Sequence, residues 1–289
     1  VNDELRVVLG TALDARVEAV TPVSGGDIHQ AYRVVLGDGR CVFVKANTRL
    51  GPSVFRAEAR GLDWLRAADA LRIPRVLAVS DDTCSVGFLV LELLEARRPR
   101  PDFDERLGRG LAELHRAEPR AFGLDHDNFI GPLPQANGSL PSWVEFYGER
   151  RLQPQFERAV RAGLLSPSLV RSFERLFVRL TEFVGPPESP ARLHGDLWSG
   201  NLLVGPEGEP CLVDPACYGG HREVDLAMMR LFGGFSERVF AAYGETYPLA
   251  SGHETRVPLY QLYPLLVHVN LFGGGYGAAL ERAMEHVLG

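Results

Sequence analysis

The chain has 289 residues, 45% hydrophobic and 24% charged, with a net charge of −6, the make-up of a soluble globular protein of one large or two modest domains. That acidic balance argues against a dedicated nucleic-acid or anionic-membrane binder, and no apolar run is long enough to span a bilayer. Asp3 and Glu4 give the N-terminus none of the basic start of a signal peptide. The four cysteines Cys41, Cys84, Cys211 and Cys217 form no C-x-x-C pair and read as free thiols of a reducing compartment, so a cytoplasmic protein is expected.

In chain order, residues 3–13 read as a short helix capped by Asn2 or Asp3. Val17 to Val23 is β-rich and runs into Ser24-Gly25-Gly26-Asp27. Gly25 and Gly26 then lie between two strands, where backbone N–H groups can approach phosphate. Ala31 to Leu36 and Cys41 to Ala46 form a hairpin about Gly37-Asp38-Gly39. Alternation in the second of these puts Val42 and Val44 on one face and Phe43 and Lys45 on the other. Ser53 is expected to cap a helix with Phe55, Ala59, Leu62 and Leu65 on its apolar stripe. Glu58 lies on that same stripe, and an unpaired buried carboxylate is costly. Lys45 is its natural partner, and a lysine beneath a glycine loop is placed to reach nucleotide phosphates.

Val76 to Val79 and Phe88 to Leu91 complete a small antiparallel sheet, turned at Asp81-Asp82. After Glu92-Leu93-Leu94-Glu95-Ala96 the run Arg97-Arg98-Pro99-Arg100-Pro101 breaks the pattern. We therefore divide the chain into a nucleotide-binding lobe, residues 1–95, and a helical lobe with the catalytic loop and substrate site, residues 96–289. Residues 104–115 are helical, with Leu107, Leu111, Leu114 and His115 on one stripe, His115 as a packing residue. Phe122 to Ser142 reads as loop, and Trp143 to Leu152 and Pro167 to Val184 as helices. A further helix starts near Glu223, with Asp225 expected to hold backbone N–H groups of the catalytic loop. Two more helices flank Gly273-Gly274-Gly275. A β-rich lobe followed by a helical one is an α+β arrangement with its site in the cleft.

The chemistry concentrates in Arg192 to Asp214, RLHGDLWSGNLLVGPEGEPCLVD. It reads as a hairpin with Asp196 and Asn201 before its first strand and Asp214 after its second. Phosphoryl transfer needs a base beside the attacking hydroxyl and groups that hold Mg²⁺ on the phosphates. Magnesium takes oxygen ligands and few carboxylates. Asp196 suits the base, and Asn201 and Asp214 the metal. H-x-D-x-x-x-x-N followed by a strand-borne Asp is the kinase catalytic loop in outline. Gly195, where protein kinases carry Arg, points to small-molecule substrates.

HGDLWSGN, DPA at 214–216, GHREVDLAM at 221–229 and LFGGF at 231–235 resemble the fructosamine kinase (ketosamine kinase) family. So do SGGDI at 24–28, FVKAN at 43–47, LVLELLEA at 89–96 and the region from Phe122 to Gln153. The likeness covers nearly the whole chain. It implies a protein-kinase-like bilobal fold, related to aminoglycoside and choline kinases, and the cofactors ATP and Mg²⁺. It also implies Asp196 as proton acceptor, Asn201 and Asp214 as metal ligands, and Lys45 with Glu58 on the phosphate side. Glu92, Leu93 and Leu94 would hold adenine, and Trp198, His268 and Asn270 the sugar. His268 and Asn270 lie two apart, a spacing that does not point both side chains one way on an ideal helix. The substrate would be a small or protein-linked ketosamine, phosphorylated on the sugar's third carbon as a step toward deglycation. The rivals are a kinase of aminoglycosides or choline, with Glu223 or Glu145 facing a cationic substrate, and a nucleotide-binding pseudokinase.

Overall fold

N-terminal strands that alternate apolar and polar side chains can cover both faces of one sheet. In the computed structural model, which describes residues 3–23, 29–84, 86–95, 97–117 and 119–289, they do so. The strands β1 (Val17–Val23), β2 (Gln30–Leu36), β3 (Cys41–Asn47), β4 (Val76–Val79) and β5 (Gly87–Glu92) form an antiparallel sheet in the order β1-β2-β3-β5-β4. Leu5, Leu9 and Leu13 of helix α1 (Asp3–Leu13) cover Val34, Val42, Val44 and Val90 on one face. On the other face Phe43, Leu89 and Leu91 meet Phe55, Ala59, Leu62 and Leu65 of α2 (Pro52–Arg66). This second contact carries Lys45 and Glu58 toward each other. The helix starts two residues earlier than the sequence suggested: Pro52 occupies its first turn and Gly51, not Ser53, is its cap. Proline is favoured there because its missing N–H would have no helical partner anyway.

The apolar cluster beneath α2 does not stop at residue 95. It continues into Leu107, Leu111 and Leu114 of α3 (Phe103–Arg116), Leu197 and Leu212 of the catalytic segment, and Met229 of α7 (Glu223–Phe232). The catalytic loop therefore rests on core shared by both halves of the chain. A separate cluster packs α6 (Pro167–Phe183), α9 (His253–Phe272) and α10 (Gly277–Leu288) around Tyr147, Phe173 and Tyr260.

Two expectations change. The segment 122–142 is not loop throughout: β6 (Asn128–Ile130) and β7 (Leu133–Gln135) pair as a hairpin. Pro134 and the surrounding glycines hid a strand pattern whose inward residues include the polar Asn128 and Gln135 beside Ile130 and Leu133. The helix that starts at Trp143 passes through a π-helical stretch, Tyr147–Leu152, and continues as α5 (Gln153–Arg161). The chain thus keeps an α+β arrangement, a β-rich N-terminal region followed by a helical C-terminal one.

Candidate active site

Strand β8 (Ala191–Leu193) delivers His194, Gly195 and Asp196, paired to β11 (Tyr218–Gly220). Gly195 adopts φ 81°, and a Cβ there would lie 2.1 Å from the Ala216 carbonyl oxygen. Only glycine allows this turn so close to that backbone. The His194 ring is fully buried. Its Nε2–H donates to the Val213 carbonyl at 2.9 Å, and its Nδ1 accepts the Asp196 N–H at 3.3 Å. Both ring nitrogens are occupied, so His194 braces the loop. Asp225, wholly buried, accepts the His194 N–H at 2.7 Å and the Gly195 N–H at 2.9 Å. It holds the catalytic loop, as the sequence suggested.

The hairpin β9 (Leu202–Val204) and β10 (Pro210–Leu212) brings Asn201 and Asp214 back beside Asp196. Asn201 Nδ2 donates to the Asp196 carbonyl at 2.8 Å and to Asp196 Oδ2 at 3.2 Å. Burial pushes the Asp196 carboxyl up to about 7; Asp214 and Asp225 add to the rise, and the Asn201 bond opposes it. Asp214 sits at φ 57°, a left-handed conformation that costs a non-glycine residue about 1–3 kcal/mol and persists where its surroundings hold it.

Lys45 Nζ bridges Glu58 Oε1 at 2.7 Å and Asp214 Oδ1 at 2.5 Å. Burial disfavours its ammonium, but the two carboxylates outweigh that and hold its pKa above the ordinary lysine value. Among the described residues, Asp214 Oδ2 and Asn201 Oδ1 make no hydrogen bond. Two oxygens are thus left open beside Asp196. His29, which follows the glycine loop, packs its ring tilted against Phe55, and its Nδ1 meets Asn47 Nδ2 at 3.3 Å. Burial, helped by Lys45, lowers its pKa to about 4, so it is neutral at pH 7. Gly25 and Gly26 lie outside the described residues.

At the end of β5 the Glu92 carboxylate accepts from Arg72 Nη2 at 2.9 Å and from the Arg75 N–H at 2.9 Å. The Glu92 N–H itself donates to the Arg75 carbonyl at 3.0 Å. Glu92 is thereby committed to the sheet, while Leu93 and Leu94 follow half-buried.

The three sugar-pocket residues part company. Trp198 is 40% exposed, and its ring lies against Gly200, where a Cβ would come within 2.2 Å of Cη2. It is not core. His268 packs among Phe232, Phe272 and Tyr276, its Nδ1–H donating to the Pro264 carbonyl at 2.7 Å. Asn270 is engaged elsewhere, with Nδ2 on Gln155 Oε1 at 2.8 Å and on the Gln155 carbonyl at 2.9 Å. The helical periodicity that separates positions two apart sends the two side chains to different neighbours. Gly234, just past α7, approaches Ser199 so closely that a Cβ would lie 2.6 Å from its side chain. The end of α7, and with it Phe232 beside His268, therefore adjoins the catalytic loop.

The carboxylates expected of a cationic-substrate kinase are both in use. Glu223 is ion-paired with Arg256 at 2.6 and 2.9 Å, and Glu145 closes a capping box with Ser142. The sequence reading missed the buried polar cluster Asn128, Gln135, Asn137, Arg151 and Tyr263. Its one signal was an unusual density of amides between Asn128 and Asn137.

The fructosamine kinase family model matches residues 3–289. A probable ketoamine kinase of Thermus thermophilus is 42% identical over 284 residues, which cover 98% of this chain and 99% of the relative. The crystal structure of a putative fructosamine-3-kinase from Thermobifida fusca superposes with a TM-score of 0.90 at 41% identity, covering 100% of this chain and 99% of that one. A thermostable mutant of aminoglycoside phosphotransferase APH(4)-Ia shares the fold at a TM-score of 0.65 and 18% identity, covering 100% of this chain and 98% of its own.

Proposed function

The chain belongs to the fructosamine kinase family, and on that premise we infer an ATP- and Mg²⁺-dependent kinase that phosphorylates a sugar hydroxyl of ketosamines, the sugar adducts of amines. The observation that carries this reading is the meeting of Lys45, Glu58 and Asp214 beside the bonded pair Asp196 and Asn201. A strand, a helix and one hairpin thus bring together five groups of the kinds that phosphoryl transfer uses.

The reading assigns each a task. Asp196 accepts the proton of the attacking hydroxyl, and its raised pKa, near working pH, suits a general base. Lys45, held by Glu58, presents its ammonium to the nucleotide phosphates. Asp214 Oδ2 and Asn201 Oδ1 would hold Mg²⁺, which would neutralise charge developing on the phosphates. An all-oxygen pair fits that ion, because magnesium takes one or two protein carboxylates and completes its shell with phosphates and water. Leu93 and Leu94 remain our residues for the adenine edge, with Glu92 contributing through its position at the strand end. Trp198, His268 and Asn270 remain our residues for the sugar, Asn270 through its Oδ1, since its Nδ2 is tied to Gln155.

Transfer to the third carbon gives a phosphate that can be expelled once the neighbouring ketone enolises, and the amine is then released. ATP consumption against fructosamines, ribulosamines, aminoglycosides and choline tests the assignment. Turnover confined to the ketosamines is expected, and turnover only with aminoglycosides or choline would overturn it.

Trp198 offers a sharper check. A ring this exposed serves substrate better than core, so Trp198→Ala should leave the melting temperature nearly unchanged. Loss of an aromatic platform is worth about 1–3 kcal/mol, or roughly 5- to 150-fold in kcat/KM for the ketosamine. The KM for ATP should stay at its wild-type value. A large stability loss with an unchanged ketosamine KM would remove Trp198 from the sugar site.

A further inference from the structure

Behind the catalytic segment lies a run of buried amides that the phosphoryl-transfer reading does not use. Tyr263 Oη donates to Gln135 Oε1 at 2.6 Å. Gln135 Nε2 donates to the Ala216 carbonyl at 3.1 Å and to Asn128 Oδ1 at 2.7 Å. Asn128 Nδ2 donates to the Cys217 carbonyl at 2.8 Å. Asn128 Oδ1 also accepts from Asn137 Nδ2 at 2.8 Å, and Asn137 Oδ1 accepts from Arg151 Nη2 at 2.5 Å. All five side chains are at most 5% exposed. The Arg151 guanidinium pairs with none of the described carboxylates; it lies 3.8 Å from the centre of the Tyr218 ring and also bonds the Ala136 carbonyl.

The direction of every bond is forced. A backbone carbonyl only accepts, so the Gln135 and Asn128 amides must turn their NH₂ ends to Ala216 and Cys217. The Gln135 oxygen then faces Tyr263, which must donate. Remove that hydroxyl and the Gln135 oxygen loses the donor it accepts from, one of the three bonds that hold the amide in place.

The two carbonyls the relay grips lie two and three residues after Asp214. Ala216 also donates its N–H to the His194 carbonyl at 3.0 Å, and its oxygen abuts Gly195. One short stretch of backbone therefore lies between the left-handed Asp214 and the turn that presents Asp196. We propose that Gln135, Asn128 and Tyr263 are positioning residues, which pin residues 216–217 and thereby keep the Asp214 carboxylate set for its cation. This rests on the reading of Asp214 as a metal ligand given above.

Tyr263→Phe removes one hydroxyl and keeps the ring; Gln135→Met keeps the volume and removes all three bonds of the amide. Calorimetric titration of each variant with ATP, with and without Mg²⁺, well below the melting temperature separates positioning from packing. Metal-free ATP should bind as to the wild type. The gain in affinity that Mg²⁺ brings should fall about three- to tenfold in Tyr263→Phe, the worth of one hydrogen bond, and further in Gln135→Met. The kcat should drop in parallel while the ketosamine KM holds. Variants that melt earlier but keep the wild-type Mg²⁺ gain and kcat would overturn the proposal. So would a Gln135→Met that folds with every value unchanged. A wild-type enzyme that turns over no ketosamine, yet shows the altered Mg²⁺ gain in both variants, would refute the substrate reading and leave the positioning role standing.

Discussion

Asp196→Asn should bind Mg²⁺ and ATP as the wild type does and lose about 10²–10⁴-fold in turnover, the usual contribution of a general base. The amide keeps an oxygen for Asn201 Nδ2, which now bonds Asp196 Oδ2 at 3.2 Å, so the loop has no reason to move. A second effect has the opposite sign. Burial raises the Asp196 pKa from 3.8 to about 7, so the folded protein holds this proton more tightly than the unfolded chain does. The stability linked to that proton is fully present below pH 3.8 and is lost as the pH rises through 7. Above pH 7 the wild type therefore carries a desolvated carboxylate that the variant lacks. The variant should melt several degrees higher at pH 8 and lose most of that advantage by pH 4. Paired melting curves and turnover at both pH values check the two effects on one preparation. Near-wild-type turnover would exclude Asp196 as the base, and an equal melting shift at both pH values would exclude its desolvation.

How much of this was legible beforehand follows from how far each interaction reaches along the chain. Asp196, Asn201 and Asp214 lie within one hairpin, and spacing alone sets them together. Lys45 and Glu58 were paired by facing: a strand alternation and a helical stripe both turned a charge inward, and the 2.7 Å contact joins them. The order of strands and helices came from the same periodicities. What could not be read was polar and distant. Tyr263 and Gln135 are joined across 128 residues, and nothing in a proline- and glycine-rich stretch marks its amides as buried. Burial of a polar side chain depends on the partner that satisfies it, and that partner is visible only after folding. The same limit applies to the contact between Asn270 Nδ2 and Gln155 on a neighbouring helix, which joins residues 115 apart.

Asp225→Asn should produce the largest stability loss of any single change considered for this chain. Three donors converge on the wholly buried carboxylate: the N–H groups of His194 and Gly195, and His115 Nε2 at 3.2 Å. The His115 tautomer is set from behind, since Tyr243, whose pKa burial raises above its ordinary value, stands 2.8 Å from Nδ1 as an O–H donor. An amide cannot replace the carboxylate. With its oxygen toward His194 and His115, its NH₂ meets the Gly195 N–H; flipped, it meets the His194 N–H. Breaking a buried, charge-assisted cluster of this kind costs about 3–5 kcal/mol. At roughly 2–4 °C per kcal/mol, the melting temperature should fall on the order of 10 °C. Turnover measured well below that temperature should fall too, because the displaced N–H belongs to the residue before Asp196. The pH dependence gives the sign. Burial works against ionisation of Asp225, but the hydrogen bonds it accepts from His115 and the Gly195 N–H hold its pKa below the ordinary 3.8. Its contribution to stability is thus present above pH 3.8 and is lost as the pH falls through the lower folded value. The gap between wild type and variant should narrow in acid. A residue that only touched substrate would change a KM and leave the melting curve alone, so an unshifted curve would mean that the catalytic loop does not hang from Asp225.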